Sequence, residues 1–201
     1  MTVPASSPFM QQWQLPTLGH ENLQLVQVPI PEPGQGQVLV RVHAASLNYR
    51  DLLILRDGMG MGPALPLVPG SDMAGQVVAI GPGVAEFAVG DAVISTFFCG
   101  WQDGVQPRTS LPLGSPGPGM LSEYVLLGED NLVAAPRQLD FAQASTLTCA
   151  GATAWFALAE SAPTRPGDTV VIMGTGGVAL FAMQIAHAQG ARVVVVSGSD
   201  D

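Results

Sequence analysis

The sequence predicts an α/β plus β architecture: a domain of short strands, barrel or sandwich, followed by a parallel β-α-β unit. Three observations carry this. Alternating apolar and polar runs, each bounded by glycine or proline, recur through the first two-thirds of the 201 residues. Near Asp140 the pattern changes to apolar residues at three-to-four spacing. Two continuous β-branched runs then flank an apolar helical segment, the mark of neighbouring strands in a parallel sheet. With 24 Gly and 17 Pro the composition favours turns and short strands over helical bundles, and 47% hydrophobic residues exclude intrinsic disorder.

In order along the chain, residues 37–46 (QVLVRVHAAS) alternate at period two, as a half-buried strand does. Residues 75–81 (GQVVAIG) and 91–96 (DAVIST) follow at the spacing of a barrel or sandwich, with turn signals at 81–84 and 89–91. Residues 58–70 and 112–120 are long Gly/Pro loops without periodicity, a length usually found in functional or disordered segments. A helical segment starts at Asp140 and runs to Glu160. Residues 168–174 (DTVVIMG) read as a strand buried on both faces, 176–190 as a helix stopped by glycine, and 191–199 as a second buried strand. A domain boundary near residue 136 divides the chain into 1–135 and 136–201.

Composition excludes several functions. Seven Lys and Arg against sixteen Asp and Glu give a net charge of −9, which opposes binding to nucleic acid. No apolar run reaches the length of a membrane span. The first eight residues lack a basic segment followed by an apolar one, so no secretory signal is visible and a cytoplasmic location is expected. Cys99 and Cys149 are too few for a disulfide framework.

The chemistry-bearing feature is the turn Gly174-Thr175-Gly176-Gly177-Val178, which leaves a strand and opens a helix. Gly174 permits the tight turn, and Gly176 lets backbone approach a pyrophosphate. The helix N-terminus then offers N–H groups to the phosphates. Ala179 stands where the dinucleotide fingerprint has its third glycine.

In this setting the chain resembles the medium-chain dehydrogenase/reductase superfamily. The resemblance runs through "SLNYRDLLILRDG" (46–58), "VPGSDMAGQVVAIGPGV" (68–84), "VGDAV" (89–93), "LSEYV" (121–125), "ASTLTCAGATAWFAL" (144–158) and the Gly-rich turn. It implies an N-terminal GroES-like β-barrel domain, then a Rossmann domain, with the active site in the cleft between them and a homodimer when complete. In zinc-dependent members the first ligand is a Cys, at a place held here by Asn48. The second is the His of a Gly-His-Glu motif, written here Gly70-Ser71-Asp72. Only the third, Cys149, remains, and one ligand of three holds no catalytic zinc. Cys149 then reads as a small buried residue or a neighbour of the cofactor pocket. The four-Cys structural zinc lobe is absent as well, Cys99 standing alone in its region.

"NYRD" resembles the zinc-free quinone-reductase branch, which makes Asn48 and Tyr49 the candidates for polarising or protonating the acceptor. A phenol can donate to a developing enolate or quinol oxygen. The alternative for Tyr49 is packing in the barrel wall, and Arg50 with Asp51 suggests a local salt bridge. By the same resemblance Thr153 faces the nicotinamide. His20, His43 and His187 share no motif and read as structural or solvent-facing.

The expected activity is zinc-independent hydride transfer from NADPH to a quinone, enone or similar small-molecule conjugated carbonyl. The alternatives are an alcohol or aldehyde dehydrogenase of the same superfamily, or a non-catalytic nucleotide-binding protein. NADPH is favoured over NADH because Ser197, not a carboxylate, follows the second β-branched run, with Asp200 and Asp201 placed in the next loop. A dinucleotide-binding sheet has about six strands. The sequence carries two, so a longer product is expected.

Overall fold

The computed structural model describes residues 7–60 and 62–198. Ser199, Asp200 and Asp201, the end of the expected second strand and the loop after it, lie outside the described residues. The chain divides into two compact units, residues 1–148 and 149–201.

The first unit is built on a five-stranded antiparallel sheet in the order β8-β3-β4-β5-β9. Its strands are β3 (Gln37–Ser46), β4 (Asp72–Ile80), β5 (Ala92–Ser95), β8 (Tyr124–Gly128) and β9 (Leu132–Ala134). The alternation in residues 37–46 therefore marks β3 at both ends. Bulges at Leu39/Val40 and Val42/Ala44 in the β3–β4 ladder add twist to the sheet. Val38, Val40, Met73, Val77, Val93, Val125, Leu127 and Leu132 form its core with Leu113 and Met120. A hairpin of β1 (Phe9–Gln14) and β2 (Gln24–Pro29) and a short pair, β6 (Phe98–Cys99) with β7 (Leu111–Pro112), complete the strands of this unit.

Helix α1 (Tyr49–Asp57) follows β3 and is anchored by Ile54, which is buried against Leu15 and Leu67. Leu15 and Leu67 also exchange backbone hydrogen bonds at 2.8 and 3.0 Å. Helix α2 (Phe141–Ser145) begins at Asp140, whose carboxylate accepts the Gln143 N–H at 2.8 Å. It packs on the sheet through Ala144, against Ala74 and Ile94. His43 is exposed on β3 and stacks on Phe141, with ring centroids 4.4 Å apart. The helical segment then continues through a π-helical turn, Leu147–Gly151.

The second unit holds α3 (Ala152–Trp155), a second π-helical turn (Phe156–Ser161), β10 (Thr169–Met173), α4 (Gly177–Ala188) and β11 (Arg192–Val196). Strands β10 and β11 are parallel, with Thr169 opposite Arg192 and Met173 opposite Val196. They are not buried on both faces, as their β-branched runs predict. Ile172 is 6% exposed, but Val171 is 61% and Met173 83% exposed. The sheet of this unit has two strands among the described residues, and α4 is the longest helix packed against them. No helix among the described residues is long and apolar enough to cross a membrane.

Candidate active site

The NYRD segment forms the entry to α1. Asn48 precedes the helix in extended conformation, and Asp51 Oδ2 accepts the Asn48 N–H at 2.8 Å. The Asp51 N–H returns a bond to the Asn48 carbonyl at 2.9 Å. The carboxylate at the third helical position binds back to the cap residue and the Asn48 side chain accepts the Asp51 N–H, so both halves of a capping box are present.

The Asn48 side chain reaches a different element. Its Nδ2–H donates to Ser71 Oγ at 3.4 Å, and the Ser71 hydroxyl donates to Asp72 Oδ1 at 2.5 Å. Ser71 and Asp72 are wholly buried. The β3–β4 register places Ser46 opposite Asp72, so the residues just after β3 meet those just before β4. Gly70 makes this entry possible. Its φ is +90°, and a Cβ there would stand 3.0 Å from Leu121 Cγ. The Ser95 hydroxyl donates to the Ser71 carbonyl and accepts the Met73 N–H, both at 3.1 Å, fixing the start of β4 to β5.

Asp51 is only 5% exposed, and its Oδ1 has no hydrogen-bond partner. Burial pushes its carboxyl above the ordinary carboxylate range, aided by the charge of Asp72 and opposed by the Asn48 N–H and Arg50. The Arg50 guanidinium donates to the carbonyls of Leu113 at 3.0 Å and Ser115 at 2.6 Å, and lies 5.4 Å from the Phe97 ring centroid. Its fork thus ties the loop after β7 to α1. Tyr49 is 73% exposed and is not packed in the wall of the sheet. Of the two predicted acceptor-side residues, Asn48 is held in a buried network and Tyr49 faces solvent. Sequence reading did not assign Asp51, Ser71 or Asp72 to the site.

In the second unit, Gly174 turns the chain at φ +88°, and its N–H donates to the Val196 carbonyl at 2.7 Å. Gly176 caps α4 in extended conformation, with no side chain closing the helix end. Thr175, Gly176, Gly177 and Val178 are all exposed. A Cβ at Gly174 or Gly176 would meet nothing within 4 Å, so the space over the turn is open, while at Gly177 it would touch Ala150 at 3.4 Å. An open turn with uncapped helical N–H groups suits a pyrophosphate. Ser197 is the first residue beyond β11 and is exposed, as is Thr153 on α3. Cys149 is part-buried in the first π-helical turn. Among the described residues no three His, Cys, Asp or Glu side chains are grouped to hold a metal ion.

Residues 34–137 match the alcohol dehydrogenase GroES-like domain. The chain belongs to the medium-chain dehydrogenase/reductase superfamily. Among its relatives in the superfamily, a zinc-type alcohol dehydrogenase-like protein of Schizosaccharomyces pombe is 40% identical over 188 residues, covering 91% of this chain and 54% of that protein. A quinone oxidoreductase of Sus scrofa is 35% identical over 87% of this chain and 48% of its own length. The crystal structure of a putative alcohol dehydrogenase from Sinorhizobium meliloti 1021 superposes with a TM-score of 0.93 at 53% identity, covering 96% of this chain and 58% of the other. The chain spans about half the length of the curated medium-chain dehydrogenase/reductases it matches.

Proposed function

We propose that this chain supplies the acceptor-binding domain and the first part of the NADPH-binding domain of a zinc-independent reductase. Its acceptor is a quinone, an enone or a similar conjugated carbonyl, and the complete protein works as a cytoplasmic homodimer. One observation carries the reading. The positions that hold a Cys and a His in zinc-dependent members hold Asn48 and Ser71, which bond to each other and to Asp72. A neutral amide and a neutral hydroxyl are poor zinc ligands beside thiolate and imidazole. They are good at fixing a hydrogen-bond donor.

The N–H groups of Gly177 and Val178 at the start of α4 hold the pyrophosphate, in the space kept open by Gly174 and Gly176 beside Thr175. Ser197 donates to the ribose 2′-phosphate, which a carboxylate at that position would repel. Thr153 bonds the nicotinamide. Once bound, the nicotinamide supplies the hydride. Asn48 and Tyr49 then donate hydrogen bonds to the acceptor oxygen as negative charge develops on it.

The test uses the full-length protein, NADPH oxidation and a panel of quinones, enones and simple aldehydes, with and without a chelator. Turnover of conjugated carbonyls that survives chelation is expected. Stoichiometric zinc whose removal abolishes turnover would overturn the reading, and so would turnover confined to simple aldehydes. A kcat/KM preference of about tenfold for NADH, or ~1.4 kcal/mol, would overturn the Ser197 assignment.

A further inference from the structure

We infer that Ser71 and Asp72 are positioning residues for Asn48, forming a directed hydrogen-bond chain that fixes which way its amide faces. The inference rests on the reading of Asn48 as the donor to the acceptor oxygen. Both Ser71 and Asp72 are wholly buried, so neither touches a substrate, and whatever they contribute passes through Asn48.

The direction follows from counting protons. A hydroxyl has one hydrogen and two lone pairs. The Ser71 hydrogen goes to Asp72 Oδ1, which leaves Ser71 Oγ only acceptor capacity toward Asn48. The group of Asn48 that faces Ser71 is therefore the amide nitrogen, and amide oxygen and nitrogen exchange places only if the chain reverses. One Nδ2–H is spent on Ser71. The second Nδ2–H remains to meet the acceptor, while Oδ1 accepts the Asp51 N–H at the start of α1. The main chain of Asn48 is pinned separately, its N–H donating to Asp51 Oδ2 at 2.8 Å. Backbone and side chain are thus held from two elements, α1 and β4, and the donor is in place before the acceptor arrives.

An amide at position 72 removes the polarity. It can donate to Ser71 Oγ, which frees the serine proton to turn toward Asn48 Oδ1 and reverse the amide. The experiment measures kcat/KM for a quinone on the full-length enzyme, with NADPH affinity read by fluorescence titration. The variants are Asn48→Ala, Ser71→Ala, Asp72→Asn and the double variant of the first two. Each single variant is expected to lower kcat/KM about tenfold, the worth of one positioned hydrogen bond. Adding Ser71→Ala to Asn48→Ala is expected to cost less than about twofold more, because both break one unit. NADPH affinity is expected to stay unchanged.

Wild-type kcat/KM in Ser71→Ala and Asp72→Asn would overturn the inference. So would Ser71→Ala costing its full factor again in the Asn48→Ala background, as a merely structural loss does. An Asn48→Ala variant with wild-type kcat/KM would overturn the reading beneath it, and that variant alone tells the two failures apart. Should Ser71→Ala fail to fold, Asp72→Asn takes its place in the same double-variant comparison.

Discussion

Replacing Arg50 separates the two ways in which this cation can stabilise the first unit. Its fork donates to the buried loop at Leu113 and Ser115 at 3.0 and 2.6 Å, and its charge also lies close enough to Asp51 to lower that carboxyl's pKa. A hydrogen bond from a charged donor contributes about 1.5 kcal/mol at the low end, which suits a part-buried group, and the contact with Phe97 adds about 0.5 kcal/mol. Arg50→Met loses both hydrogen bonds and the ring contact, so a destabilisation of about 3.5 kcal/mol is expected. Arg50→Lys keeps the charge but has no planar fork, and holds at most one of the two carbonyls well. It is expected to lose about 1.5–2 kcal/mol. The assay is urea denaturation of the full-length protein at neutral pH, followed by tryptophan fluorescence and by circular dichroism, whose coincidence checks that one transition is measured. An Arg50→Lys protein within about 0.5 kcal/mol of wild type would refute the geometric account, since charge alone would then suffice.

Two further perturbations follow from the same geometry. Asp51 is held above its unfolded value of 3.8, so the folded state binds the proton more tightly, and the resulting stability is complete below that value and lost as pH rises through the raised one. Asp51→Asn keeps the acceptor for the Asn48 N–H and does not titrate. The melting temperature of the variant minus that of wild type should therefore rise between pH 3.8 and neutrality, and a flat or falling difference would contradict the burial argument. Gly176→Ala places a methyl in open space, so it should cost under about 1 kcal/mol of stability as a cap change, yet weaken NADPH about tenfold or more by blocking the phosphate. Unchanged NADPH affinity in a folded Gly176→Ala protein would move the phosphate site away from this turn.

Local pattern was enough to determine several parts of this protein. The period-two alternation in residues 37–46 coincides with β3, the run at 168–174 matches β10 to within one residue at each end, and the strand expected at 191–199 contains β11, which ends at Val196. The glycine turn between β10 and α4 was legible because backbone conformation at a glycine is a local property. Helix α1 carried a readable signal that alternation obscures: Asn48 at the cap, Asp51 three residues on, and Gly58 at the end. The exposure of Val171 and Met173 goes with the two strands of this sheet among the described residues, because burial depends on what packs against a strand and not on the strand's own residues. The resemblance puts Asn48 and Ser71 at two ligand positions of one site and the cap pattern links Asn48 to Asp51, but the bonds that join Asn48 to Ser71 and Ser71 to Asp72 belong to the tertiary structure. Asn48 and Ser71 lie 23 positions apart, and no periodicity links them. They meet because β3 and β4 pair antiparallel with Ser46 opposite Asp72, and a shift of one residue in that register would turn the β4 side chains to the other face.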